Sequence, residues 1–121
     1  MNRLTPRCDL YDKPCCITAV VCAAGTDNIV NNLEYLPSRG KGYATLDAAN
    51  KFIRANLHIK KTTKYRRSER PLLKDLHLDG KAVVCVRGHY LYLDHENYYS
   101  FFDNENDPVV AAWLLHDDKT N

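Results

Sequence analysis

No apolar run in this sequence approaches the roughly 18 residues that a membrane-spanning helix needs. The opening segment, MNRLTPR, also lacks the apolar region of a secretory signal. Both absences predict a cytoplasmic protein without a membrane partner. The five cysteines form no C-x2-C pair and the five histidines no H-x3-H pair, the spacings that zinc sites commonly use, so no metal site is expected. An odd cysteine count without an even-spaced framework fits a reducing compartment, where thiols are packing groups or nucleophiles rather than bridges. Neither sign of charge dominates. A net charge of +2 is too small to make the whole surface a polyanion-binding face. With no internal repeat or linker in 121 residues, one domain spanning 1–121 with one core is expected.

The stretch from Gly80 to Trp113 carries the strongest pattern. Ala82 to Arg87, Tyr90 to Leu93 and Tyr98 to Phe102 are β-branched and aromatic, and only Gly88-His89 and Asp94 to Asn97 part them. A fourth segment, Val109 to Leu114, follows Asp107-Pro108. This predicts an antiparallel meander. Upstream, Pro14 opens an apolar segment that Gly25 closes, which predicts a buried helix over 14–24. A second helix is expected over 28–36, and a third over 45–57, where Leu46, Ala49, Phe52, Ile53 and Leu57 repeat at helical spacing. Residues 1–13 read as a wrapping loop, 58–65 as a short strand and 71–77 as a helical turn. Helices first and sheet last imply an α+β fold.

Lys60, Lys61, Lys64, Arg66, Arg67 and Arg70 fall within eleven residues, with Tyr65 among them. Such a run is able to pair with phosphates and stack a base on the tyrosine, which makes single-stranded nucleic acid a candidate partner; a solvated loop is the favoured reading, since no nucleic-acid motif accompanies the run. Cys15 falls at the start of the first expected helix, where the positive end of the helix dipole stabilises a thiolate. His89 carries the side chain whose unperturbed pKa lies nearest neutrality. If the two face each other, they form the nucleophile and the general base and acid of an acyl-transfer enzyme.

The segment PCCITAVVCAAG resembles the nucleophile helix of small papain-like cysteine peptidases found in phage and bacterial genomes. In that family a Cys opens the helix, an Ala follows four residues later and a Gly ends it ten residues after the Cys; Cys15, Ala19 and Gly25 match. VVCVRGHYLYL resembles the family's strand ending in Gly-His, and NYYSFFDNENDPVVAAW its closing segment. The resemblance implies a minimal papain-like fold, with N-terminal helices packed on a C-terminal antiparallel sheet. It also implies a thiol hydrolase that cleaves a peptide or isopeptide bond without a cofactor. Cys15 would be the nucleophile, with Cys16 an apolar helix position, and His89 the base, oriented by Ser100 or Asp103. If the chain is phage-encoded, its compartment is the host cytoplasm.

Three positions depart from that pattern. Ser100 stands where the family has an orienting Asp, Thr18 replaces an Arg, and the chain has no glutamine to supply an oxyanion donor ahead of the cysteine. On these departures rests a second expectation, a catalytically inactive interaction protein on the same scaffold, binding a host protein or nucleic acid.

Overall fold

A computed structural model describes residues 1–6, 15–24, 46–87 and 89–116 of the chain; at 15–18 and 21 it describes the backbone alone. The expected helix over 28–36 lies outside these residues, as do Pro14, Gly25 and Gly88. Two helices are described. The first, α1, runs Cys15–Ala24, and the second, α2, runs Leu46–Asn56. In α2, Asp47 occupies the first turn and Arg54 the last, each at the end of the helix dipole that suits its charge. Ala49, Phe52 and Ile53, spaced three and four apart, form its buried side. No described helix is long and apolar enough to cross a membrane.

The sheet has six strands: β1 Asn2–Leu4, β2 Ile59–Lys64, β3 Lys81–Val86, β4 His89–Asp94, β5 Asn97–Tyr99 and β6 Val109–Leu115. Their spatial order is β1-β5-β4-β3-β6-β2. This α+β architecture departs from the sequence reading in three ways. First, residues 2–4 are a strand rather than a loop and pair with β5 in parallel, which makes the sheet mixed. The pairing is closed by Asn2 N–H donating to the Glu96 carbonyl and Ser100 N–H donating to the Leu4 carbonyl, at 2.7 and 3.0 Å. Second, β6 does not extend the meander beyond β5 but crosses to the free side of β3. Third, β5 stops at Tyr99, because the Ser100 hydroxyl accepts the Phe102 N–H at 3.2 Å and turns the chain out of the ladder.

Each face of the sheet has its own core. Val83 and Cys85 of β3, Tyr90 of β4 and Ala111 and Trp113 of β6 pack with Ala19 and Val20 of α1 and with the buried side of α2. On the opposite face, Ala82, Val84 and Val86 join Leu91, Leu93, Tyr98, Val109 and Ala112, and are covered by Leu73 and Leu76. Those two leucines come from the expected turn after Pro71, which is a 3-10 turn over Leu73–Asp75 following another over Arg67–Glu69. Strand alternation explains the division, except in β6, where the register shift opposite Cys85 and Val86 sends Val109 and Ala111, two residues apart, to opposite faces. Gly80, with φ +131°, turns the chain into β3 through a conformation that side chains rarely adopt.

Trp113 is fully buried, yet its indole N–H needs an acceptor, and Asn50 Oδ1 of α2 supplies one at 2.9 Å. Arg54 Nε donates to the same oxygen at 3.1 Å, and Arg54 also reaches Thr62 of β2 at 2.7 Å. Asn50→Ala should therefore cost about 1–3 kcal/mol by leaving the indole N–H unpaired. The loss is read as a lower urea midpoint, and it should shrink when the same substitution is made in Trp113→Phe protein. Equal losses in both backgrounds would mean that Asn50 acts through Arg54 instead.

Candidate functional site

His89 is the first residue of β4 and pairs with Val86 across the connection that contains Arg87. Its Nε2 lies 3.0 Å from Ser100 Oγ, just past the end of β5. Ser100 is 1% exposed, and its hydroxyl donates to Asn104 Oδ1, while Asn104 Nδ2 donates to Asp107 Oδ2 at 2.7 Å. A continuous polar chain thus runs from the imidazole through a hydroxyl and an amide to a carboxylate. The 104–107 loop holds it in place: Asp107 N–H donates to the Asn104 carbonyl, and the Asp107 and Glu105 carbonyls accept from the backbone of Leu73 and Lys74. Phe102, 63% exposed, sets its ring edge-on to the imidazole at 5.6 Å.

The direction of these bonds fixes the histidine tautomer. Because the Ser100 hydroxyl proton goes to Asn104, its oxygen is an acceptor toward His89, so a neutral His89 carries its proton on Nε2 and its lone pair on Nδ1. Burial lowers the His89 pKa from its usual 6.5, against an upward pull from the Asp107 carboxylate. A serine contributes no charge to offset that burial. The imidazole is therefore held neutral near pH 7, with its base nitrogen defined.

Of the residues proposed to orient this ring, Ser100 does so and Asp103 does not. Asp103 Oδ1 accepts instead from the Tyr98 hydroxyl at 3.3 Å and from Glu105 N–H at 3.2 Å, which caps the turn. Asn104 and Asp107 were missed, because nothing in the run DNENDP distinguishes a buried amide from its exposed neighbours; Asn104 is 5% exposed. Cys15 is the first residue of α1, as expected, and its side chain lies outside the description. Helix α1 packs over β4 and β3 on the Tyr90 side of the sheet. His89 shares the alternation of Leu91 and Leu93 and belongs to the other side.

The basic run also resolves. Lys60, Lys61 and Lys64 lie exposed on β2, an edge strand, and a register shift between Ile59 and Lys61 explains two successive exposed lysines. Lysines on an edge discourage pairing with another chain, which accounts for them without a ligand. Tyr65 is half-buried against the second core, and burial raises its pKa. Arg66 is exposed, whereas Arg67 and Arg70 line a pocket together with Arg87, a residue too distant in sequence to have been grouped with them. No protein-family model, curated protein or solved structure matches the chain.

The depressed pKa of His89 has a consequence for stability. The unfolded chain binds a proton at about 6.5 and the folded chain only at lower pH, so this contribution is intact above pH ~6.5 and is lost as pH falls through the folded value. Titration of the His89 ring by NMR should give a midpoint below 6.5. In Ser100→Ala protein the acid limb of stability should move, and the Nε2 proton should lose its slow exchange with water. A midpoint above 6.5 would show that Asp107, and not burial, governs this ring.

Proposed function

We propose that the protein is a papain-like thiol hydrolase of peptide or isopeptide bonds, with Cys15 as nucleophile and His89 as its base and acid. The observation that carries this reading is the His89–Ser100 hydrogen bond: it ties up Nε2 and leaves Nδ1 as the nitrogen able to exchange a proton with a thiol. The placement of α1 supports it. Cys22 is near enough to Tyr92 to add to the rise of the tyrosine pKa, behind the larger effects of burial, Asp94 and Tyr99. Helix α1 packs over β4, the strand that begins with His89, and a hydrolase of this kind requires the Cys15 thiol to reach the ring around the end of the sheet.

In this mechanism Nδ1 takes the thiol proton as sulfur attacks the scissile carbonyl. The tetrahedral oxyanion is held by a backbone N–H at the start of α1, and collapse passes the proton from His89 to the leaving amine. Water, deprotonated by His89, then cleaves the thioester. Ser100 positions the ring, and Phe102 packs edge-on against it. The peptide or protein substrate is the partner of this reaction, and no cofactor takes part.

A second reading is favoured by the neutrality of Ser100 and the depressed pKa of His89. Both disfavour a thiolate–imidazolium pair and suit a catalytically inactive domain that binds a host protein or nucleic acid. Alkylation separates the two. In a hydrolase, iodoacetamide should modify Cys15, and not Cys16, well below the pH at which an ordinary thiol of pKa ~8.5 reacts. His89→Ala should return Cys15 to ordinary behaviour. Ser100→Asp should raise the His89 pKa and lower the reaction pH of Cys15 further, because a carboxylate stabilises the imidazolium. Equal modification of both cysteines, indifferent to His89, sinks the hydrolase and leaves the binding domain.

A further inference from the structure

We infer that Arg67, Arg70 and Arg87 form a binding site for a dianionic phosphate group. Arg67 opens the 3-10 turn over Arg67–Glu69 and Arg70 follows that turn directly, while Arg87 comes from the connection between β3 and β4. The three, with Pro108, line one pocket of about 340 Å³. The backbone ties the turn to the start of β6, since Val109 N–H donates to the Pro71 carbonyl at 2.7 Å and Leu72 bridges Pro108, and Val109 in turn pairs with Val86, next to Arg87.

Three guanidinium groups converging on one cavity repel one another, and arginine does not relieve the repulsion by losing its proton. None of the three forms an ion pair or hydrogen bond with a carboxylate among the described residues. The carboxylate nearest in sequence to Pro108, that of Asp107, accepts from Asn104 instead. Arg70 Nε is closed off from solvent without an acceptor, a buried donor that an oxygen of a bound anion would satisfy. Three planar forks offer more donors than the two oxygens of a carboxylate accept. A phosphomonoester presents three terminal oxygens and close to two negative charges, which matches both the donors and the charge of this pocket. The cavity also has room for the group that carries the phosphate. None of the residues assigned to hydrolysis belongs to this site, so it stands or falls apart from that reading.

The test is binding of inorganic phosphate to the intact protein, by calorimetry and by thermal unfolding, at ionic strength held constant with chloride. Saturable binding is expected, with a rise in unfolding temperature that chloride does not reproduce and tighter binding at pH 8 than at pH 5.5. Arg67→Gln and Arg87→Gln alter exposed side chains and leave the cores untouched. Each should weaken binding roughly ten- to hundredfold, the loss of one charge-assisted contact. Methyl phosphate and a 5′-phosphorylated oligothymidylate distinguish a free phosphomonoester from a nucleic-acid terminus: equal affinity assigns the former, a clear preference for the oligonucleotide the latter. The site is overturned if chloride stabilises the protein equally, if both variants bind phosphate as the parent does, or if removing the 5′-phosphate leaves oligonucleotide affinity unchanged.

Discussion

Burial of β3 on both faces is the constraint from which the rest of the molecule follows. Its run AVVCV is buried throughout and is flanked by β4 on one side and β6 on the other. A strand so placed leaves no face for polar side chains, and the sequence supplies none after Lys81. Each face then needs a cover: α1 and α2 on the Val83 and Cys85 side, the turn carrying Leu73 and Leu76 on the Val84 and Val86 side. Polar chemistry is thereby displaced to the strand ends. His89 stands at the end where β3 turns into β4, and Arg87 beside it faces the pocket formed with the turn over Arg67–Glu69.

At that end the protein uses a neutral chain where a charged pair is the commoner device. A carboxylate in place of Ser100 would be buried, and its ionic partner would have to be an imidazolium that is itself partly removed from water. Serine avoids this desolvation. Its hydroxyl accepts from His89 and from Phe102 N–H and gives its own proton to Asn104, so all its bonding capacity is used without a net charge. The nearest ionised group in the chain, Asp107, acts through the Asn104 amide. The result is a ring well fixed in orientation and tautomer yet hard to protonate. Such a ring is a poor half of a resting ion pair.

How much of this was legible in the sequence depended on whether the deciding contact was local. Helix α2 and strands β3, β4 and β6 are set by periodicity and by the residues between them, and they fall within one or two residues of the expected limits. Strand β1 has no pattern of its own; Asn2 to Leu4 is exposed and becomes a strand only because β5 offers it a parallel edge. The same holds at the site. Ser100 was placed beside His89 by the spacing of the family resemblance and not by strand pairing, in which Tyr99 lies opposite Tyr92. Asn104 had no such signal, because its role arises from a loop pinned by Leu73 and Lys74, about thirty residues upstream. Asp103, the other residue expected to orient the ring, is carried to Tyr98 because the chain leaves the strand at Ser100.

The cationic run shows why composition alone misreads a surface. Six positive side chains in eleven residues look like one polyanion face, but two different physical demands are superimposed on them. Lysine suits an edge strand because its ammonium is compact and strongly hydrated, and a row of such groups makes docking another strand costly. Arginine is the weaker choice for that purpose, since its guanidinium is less hydrated and more readily held against protein. The switch from Lys60, Lys61 and Lys64 to Arg66, Arg67 and Arg70 coincides with the end of β2, where the edge stops needing protection. Beyond it Arg67 and Arg70 line a cavity, and the third member of the group, Arg87, arrives from the connection between β3 and β4. Edge protection cannot explain that arrival, because Arg87 lies between two central strands of the sheet.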